Sequence, residues 1–218
     1  PEMLLSLSRQ SIGDTLEGLF DSLWVDGLAA DNEAELMRVL RQAKAETAFL
    51  IALADISSAW TVVQVTETLS NFADTALSVS IEWLLREAYK AARIDRSALP
   101  DAFEEVLADQ TSRRILSPLS GLVVLAMGKY GAFELNYSSD IDIVIFYDPD
   151  KLPLADDLYP SDFFVKLTKS LARIMQDRTQ DGYVFRTDLR LRPDPGGTSV
   201  AVSLPAAAIY YESRGQNW

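Results

Sequence analysis

Hydrophobic side chains recur every three or four residues through the first half of the chain, which is the spacing of amphipathic helices. One such stripe consists of Leu36, Val39, Leu40 and Ala43. The pattern predicts an antiparallel bundle of helices between residues 11 and 116, with helices over residues 33–53 and 62–92. Asp31 is the expected N-cap of the first of these two helices, because its carboxylate can accept hydrogen bonds from the first turn.

The period of the pattern changes after Pro118. Two short apolar runs, residues 121–127 and 141–147, predict buried strands. Further along, the pattern predicts a helix over 158–178, strands over 183–192 and 199–203, and a helix over 204–212. The expected architecture is therefore α+β, with a helical region over residues 1–117 followed by a smaller sheet-containing domain over residues 118–218. We also expect that the second domain is truncated at its C-terminal end.

The composition removes several classes of chemistry. The 218 residues include no histidine and no cysteine, which excludes Ser-His-Asp catalysis, thiolate nucleophiles and zinc sites built on these ligands. A reaction must therefore use carboxylates, hydroxyls, Lys, Arg, backbone groups or a bound hard cation. The apolar runs are too short to span a bilayer and no signal peptide is visible, so we expect a cytoplasmic protein.

The charge is distributed unevenly along the chain. Residues 1–110 carry 19 acidic and 8 basic side chains, whereas residues 111–218 carry 13 and 12. The acidic first half argues against binding to nucleic acid or to an anionic membrane, since phosphate groups attract a basic surface. In the second half, basic side chains lie close in sequence to acidic pairs, as a site for phosphate and a divalent cation requires. These basic residues are Lys129, Arg186, Arg190 and Arg192.

The segment between the first two predicted strands carries the strongest chemical signal. Gly128 follows the first strand, and the second strand begins with Asp140-Ile141-Asp142. Because side chains alternate along a strand, the two aspartates project from the same face, with Cα atoms roughly 7 Å apart. Their carboxylates suit Mg²⁺, which prefers oxygen ligands and substrate phosphates. A glycine turn beside them would let the backbone approach a phosphate closely.

A third acidic residue, Asp188, lies in the third predicted strand. If residues 183–192 are extended, then Asp188, Arg190 and Arg192 share one face of that strand. They would supply a carboxylate that bridges two metal ions, and two cations for a polyphosphate. Each feature alone has a simpler explanation, such as a water-facing strand end or a surface ion pair of little energetic consequence. Their combination and order favour a functional site.

Other residues near this site allow two interpretations. The polar residues that precede Asp140 could be ordinary turn residues, or they could bind a phosphate or ribose. These are Glu134, Asn136, Ser138 and Ser139. The large aromatic residues are expected in the core rather than as platforms for a nucleotide base. They are Trp24, Trp60, Phe72, Trp83, Tyr210 and Tyr211.

The segment from Met127 to Asp142 resembles the signature of the glutamine synthetase adenylyltransferase/adenylyl-removing enzyme family. The matching positions are Met127, Gly128, Lys129, Gly131, Glu134, Leu135, Asn136, Ser138, Ser139, Asp140, Ile141 and Asp142. Residues 188–193 and 210–218 also resemble the family, and residues 40–83 are similar in pattern to its preceding helices. The sequence departs from the common pattern at Tyr130, Ala132 and Phe133, and Lys129 stands where the broader superfamily has serine.

This resemblance implies a polymerase-β-type nucleotidyltransferase fold with a mixed sheet. Family members carry two such domains in tandem, and residues 134–140 resemble the N-terminal copy. That copy removes AMP from a modified tyrosine of glutamine synthetase, using inorganic phosphate and releasing ADP, and so takes part in the control of nitrogen metabolism. The implied partners are glutamine synthetase, a PII signalling protein, ATP, ADP and phosphate.

The residue pattern and the resemblance together give a specific set of site residues. Asp140, Asp142 and Asp188 are the expected catalytic residues and the ligands of one or two Mg²⁺ ions. The expected nucleotide- and phosphate-binding residues are Gly128, Lys129, Ser138, Ser139, Arg190 and Arg192. Two alternatives remain open, namely ATP-dependent adenylylation by the same carboxylates and a regulatory module that binds glutamine synthetase or PII without catalysis.

Overall fold

Three long helices form the first part of the fold. The computed structural model describes residues 2–99, 103, 107 and 113–214, with side chains between residues 11 and 213 of these ranges. The helices are α1 (Glu2–Leu28), α2 (Glu33–Ile56) and α3 (Val62–Lys90), and each packs against the other two. The helices predicted over residues 33–53 and 62–92 are confirmed as α2 and α3. Within the described residues, no helix combines the length and the hydropathy needed to cross a bilayer.

The start of α2 differs from the sequence prediction by one residue. Asn32, not Asp31, is the N-cap, because its side-chain oxygen accepts a hydrogen bond from the backbone N–H of Glu35 at 3.1 Å. The Glu35 carboxylate in turn accepts a hydrogen bond from the backbone N–H of Asp31 at 3.1 Å. The two side chains thus satisfy two backbone donors at the beginning of the helix.

The second part of the fold is a small mixed sheet. Its strands are β1 (Leu122–Met127), β2 (Ile141–Tyr147), β3 (Thr187–Asp188) and β4 (Ala201–Ser203). β2 lies in the centre, with β1 antiparallel to it and both β3 and β4 parallel to it. β3 pairs with the first residues of β2 and β4 with the last. The helices and this mixed sheet together make the chain an α+β protein.

Shorter elements connect these strands. A helical turn (Gly128–Gly131) follows β1, a helix (Pro160–Gln176) joins β2 to the β3 region, and a helix (Leu204–Arg214) follows β4. Short 3₁₀ turns cover Arg96–Ala98 and Ser117–Leu119. The Pro160–Gln176 helix packs against α2 and α3, and also contacts β3 and β4.

The third strand is much shorter than predicted. Residues 183–192 alternate as a strand would, but the chain pairs with β2 only around Thr187 and Asp188. The Asp188 carboxylate accepts a hydrogen bond from the backbone N–H of Arg190 at 2.8 Å, which turns the chain away from the sheet. The prediction that Asp188, Arg190 and Arg192 share one face of a strand is therefore wrong.

A continuous hydrophobic cluster joins the helices to the inner face of the sheet. Phe72 of α3 packs against Phe185, just before β3, with ring centroids 6.0 Å apart. Trp24, Phe72 and Trp83 are buried as predicted, whereas Trp60 and Tyr210 are partly exposed and Tyr211 is 48% exposed. The exposure of Tyr211 corrects the expectation that it belongs to the core. The division at residue 117 stays a prediction.

Two buried charged side chains fasten the loops that lead into the sheet. The Glu82 carboxylate accepts hydrogen bonds from the backbone N–H groups of Ile115, Leu116 and Ser117 at 2.9–3.1 Å. The Arg41 guanidinium donates to the backbone carbonyls of Met37, Asp177 and Gly182 at 2.5–2.9 Å. Through these contacts, α3 holds the approach to β1 and α2 holds the approach to β3.

Candidate active site at the sheet end

The three aspartates singled out by the sequence lie at one end of the sheet. Asp142 in β2 stands in register with Asp188 in β3 and, on its other side, with Met127 at the end of β1. Asp140 immediately precedes β2. The sheet topology therefore brings Asp188 beside Asp142, which lies 46 positions earlier in the chain, as expected from the sequence.

Gly128 lies directly against one of these carboxylates. Its φ is +54°, in the left-handed region that glycine tolerates, and a Cβ placed on it would be 2.7 Å from Oδ2 of Asp142. Glycine is required here both by conformation and by space. The helical turn that begins at Gly128 is also anchored to α3, because the buried Tyr130 hydroxyl donates a hydrogen bond to the Asp74 carboxylate. Burial raises the pKa of Tyr130, so this hydroxyl stays protonated as a donor.

The two outer aspartates are each bonded to an arginine. Arg186 Nε lies 2.5 Å from Oδ1 of Asp140, and its Nη2 donates to the Ser138 carbonyl at 3.1 Å. Arg190 donates to both carboxylate oxygens of Asp188, at distances of 2.5–3.0 Å. Asp142 lies between them and forms no ion pair with any residue that the structure describes.

The electrostatics differ among the three carboxylates. Burial raises the pKa of Asp142, and the negative charges of Asp188 and Asp140 raise it further against a smaller opposite effect of Arg190. The hydrogen bond from the Arg190 side chain lowers the pKa of Asp188, although burial partly offsets it. Because Asp142 and Asp188 stand side by side in the sheet and Asp140 directly precedes β2, their negative charges repel one another, and a bound divalent cation relieves such repulsion.

The donor set fits a hard cation, although the carboxylates do not converge in this conformation. Among the described residues, no group of three or more acidic, histidine or cysteine side chains is arranged as a metal site. Asp140 and Asp188 instead bind the two arginines. Three oxygen-bearing side chains at one sheet end, with glycine backbone beside them, match the ligand chemistry of Mg²⁺. Asp140, Asp142 and Asp188 are thus the residues that could hold it.

The predicted phosphate-binding residues differ in what their side chains contact in this structure. Lys129 and Ser138 are exposed near the aspartates, and Ser138 lies in a turn in which its backbone N–H donates to the Asn136 side chain at 3.0 Å. The Ser139 hydroxyl accepts a hydrogen bond from the backbone N–H of Asn136. Arg192 donates to the carbonyls of Leu189 and Pro195 at 2.6 and 2.8 Å, so it shapes the loop after β3. Roles for these residues in phosphate binding stay predictions.

Two contacts of the site lay beyond the sequence analysis. The ion pair of Arg186 with Asp140 joins segments 46 residues apart, and its local signal in the sequence is that Arg186 lies two residues before Asp188. The bond between Tyr130 and Asp74 joins residues 56 positions apart. No local pattern in the sequence could have indicated it.

Comparison with known proteins assigns the chain to a family. Residues 24–218 match the family model of glutamate-ammonia ligase adenylyltransferase. This chain belongs to the glutamate-ammonia ligase adenylyltransferase family. Three relatives, each named a bifunctional glutamine synthetase adenylyltransferase/adenylyl-removing enzyme, show the degree of similarity. The protein of Bradyrhizobium diazoefficiens is 49% identical over 88% of this chain, that of Rhodopseudomonas palustris HaA2 46% over 100%, and that of Mesorhizobium japonicum 44% over 100%.

The glutamate-ammonia ligase adenylyltransferase family is a family of nucleotidyltransferase enzymes, and the three aspartates lie within the matched residues. The chain spans about a fifth of the length of the relatives, with 18% of the Bradyrhizobium protein and 21% of the Rhodopseudomonas protein covered. The names of these relatives carry two activities, adenylylation and adenylyl removal.

Proposed function

We propose that this chain is an adenylyl-removing domain with a polymerase-β-type nucleotidyltransferase fold, and that it removes AMP from a tyrosine of glutamine synthetase by phosphorolysis, releasing ADP. The observation that carries the proposal is the meeting of Asp140, Asp142 and Asp188 at one sheet end, beside Gly128 and two arginines. The direction of the reaction rests on the resemblance of residues 134–140 to the N-terminal copy of the family.

The reaction exchanges one phosphoester for a phosphoanhydride. An oxygen of inorganic phosphate attacks the AMP phosphorus, the bond from that phosphorus to the tyrosyl oxygen breaks, and the products are ADP and tyrosine. The tyrosyl oxygen takes up a proton from solvent. Phosphate is already an anion, so the absence of histidine from the sequence is no obstacle to this attack.

The residues of the site support this reaction by position and charge. Mg²⁺ held by Asp140, Asp142 and Asp188 would supply positive charge that offsets the repulsion between the two phosphate groups. We assign the binding of phosphate oxygens to Lys129, Arg190 and Arg192, with the Gly128 backbone and the Ser138 hydroxyl as neutral donors. Fixing the attacking oxygen in line with the leaving oxygen is the main contribution of such a site.

Two alternative functions are weighed against this proposal. Transfer of AMP from ATP to glutamine synthetase would employ the same carboxylates in the opposite sense. A regulatory module would bind glutamine synthetase or a PII protein without turnover. The intact set of three aspartates favours catalysis over the regulatory function.

The experiment that tests the proposal mixes this chain with adenylylated glutamine synthetase, Mg²⁺ and phosphate, and follows the release of ADP. We expect ADP release that Asp140→Asn or Asp188→Asn lowers by about 100-fold or more. Asp157→Asn, at an exposed acid outside the site, serves as the control. Labelling of unmodified glutamine synthetase by ATP, without ADP release from the modified form, would establish the forward reaction. Binding with neither activity would establish the regulatory function.

A further inference from the structure

The two arginines at the candidate site are bonded to two of the three carboxylates that could hold a metal ion. Arg190 binds both oxygens of Asp188 and Arg186 binds one oxygen of Asp140. Each carboxylate oxygen has two lone pairs, but a guanidinium bonded to it at 2.5–3.0 Å holds a positive charge beside the oxygen and repels a divalent cation there. Cation binding and arginine binding at these two aspartates therefore compete.

The side chains of both arginines can leave without disturbing the fold. The Arg190 side chain is 83% exposed and that of Arg186 is 61% exposed, whereas Asp188 is only 16% exposed. The backbone at Arg186 stays fixed, because its carbonyl accepts a hydrogen bond from the backbone N–H of Ile141 at 2.9 Å. An exchange of partners thus requires rotation of exposed side chains and no rearrangement of the sheet.

We propose that Arg186 and Arg190 exchange partners during the functional cycle. Without a cation they neutralise Asp140 and Asp188; when a divalent cation occupies the aspartates, both guanidinium groups turn to the phosphate oxygens of the substrate. Arg186 thereby becomes a phosphate-binding residue. This inference rests on the proposed function, because it uses the same three aspartates as the cation site.

The exchange predicts that removing an arginine tightens cation binding. Mn²⁺ is the probe, and its free concentration is read from its electron paramagnetic resonance signal during titration of the full chain. We expect Arg186→Gln and Arg190→Gln each to bind Mn²⁺ about threefold or more tightly than the unmodified chain, as the loss of one competing exposed ion pair implies. Arg186→Lys keeps the charge but loses the planar fork of donors, and should lie between.

Two control variants separate competition from other effects. Lys129→Gln removes a positive charge from the turn beside Asp142, and among the described residues Lys129 forms no ion pair with the three aspartates. Equal tightening of Mn²⁺ binding by Lys129→Gln and by the arginine variants would overturn the exchange, because the loss of any nearby positive charge would then explain all three results.

The second control concerns the metal site itself: Asp142→Asn should weaken Mn²⁺ binding. If the unmodified chain has no Mn²⁺ site that Asp142→Asn weakens, the metal part of the proposed function fails and the exchange fails with it.

A second titration tests where the arginines go. Inorganic phosphate is added to the chain with and without Mg²⁺, and binding is measured by calorimetry. The exchange predicts tighter phosphate binding when Mg²⁺ is present, and a gain that shrinks in Arg186→Gln and Arg190→Gln. If these variants bind Mn²⁺ more tightly but Mg²⁺ still increases their phosphate affinity as much as in the unmodified chain, the assignment of Arg186 to the substrate is overturned.

Discussion

Glu82 and Asp188 each accept several hydrogen bonds, but from donors of different kinds. Glu82 is fully buried in the helical region, and three backbone N–H groups donate to it along with the Arg86 side chain. Asp188, at the sheet end, accepts most of its hydrogen bonds from the exposed Arg190 side chain. A backbone donor cannot leave without unfolding its segment, whereas an exposed side chain can.

The arginines of the two regions differ in the same way. Arg41 is buried and donates to three backbone carbonyls from α2 and the 177–182 segment. Arg186 and Arg190 are exposed and reach carboxylates. The comparison teaches that the buried charges of the helical region hold backbone in place, whereas the ion pairs at the sheet end use exposed side chains, as the proposed exchange requires.

The largest expected effect comes from removing the buried acceptor. Glu82→Ala leaves three backbone N–H groups without their acceptor, and we expect a loss of about 3 kcal/mol in the free energy of unfolding. Urea denaturation measures it. Asp188→Ala is the matched variant at the sheet end, where we expect a loss below about 1 kcal/mol because the main donor to this carboxylate, the Arg190 side chain, is exposed. Equal losses at both positions would remove the distinction between the two regions.

A smaller effect is expected at the beginning of α2, where an exposed side chain holds a single backbone donor. Asn32→Ala removes the N-cap acceptor and should cost about 1 kcal/mol. Asp31→Ala is the control, since only the backbone N–H of Asp31 takes part in the cap, and it should change stability by less than about 0.5 kcal/mol. A larger stability loss for Asp31→Ala than for Asn32→Ala would show that Asp31 is the N-cap. Thermal denaturation of the two variants decides between them.

The sequence predicted the parts of the fold that depend on repeating patterns. The helical spacing led to α2 and α3, and the β-branched run at residues 141–147 matches β2 residue for residue. The strand that carries Asp142 is among them, whereas its pairing with Asp188, 46 residues further along, depends on the completed sheet. The helices and this strand follow from local periodicity, which a single sequence displays.

The failures occur where one side chain binds backbone nearby. Asp188 bonds the backbone N–H of Arg190 and ends β3, although the alternation of residues continues to Arg192. Asn32 and Asp31 are both good N-caps, and only the backbone conformation selects Asn32. The ion pair of Arg186 with Asp140 joins segments 46 residues apart, so it depends on the completed sheet.

The most direct test replaces Asp142 with asparagine and measures both stability and ADP release. The raised pKa of Asp142 means that its ionised form is disfavoured in the fold, so its charge costs stability above the folded-state pKa. Asp142→Asn should therefore raise the free energy of unfolding at neutral pH, by on the order of 0.5 kcal/mol. That gain should shrink as the pH falls through the pKa of Asp142 and the native carboxyl takes up its proton. The same variant should lose ADP release from adenylylated glutamine synthetase. A variant that is less stable at neutral pH and still releases ADP would contradict the claim that this carboxylate serves chemistry rather than the fold.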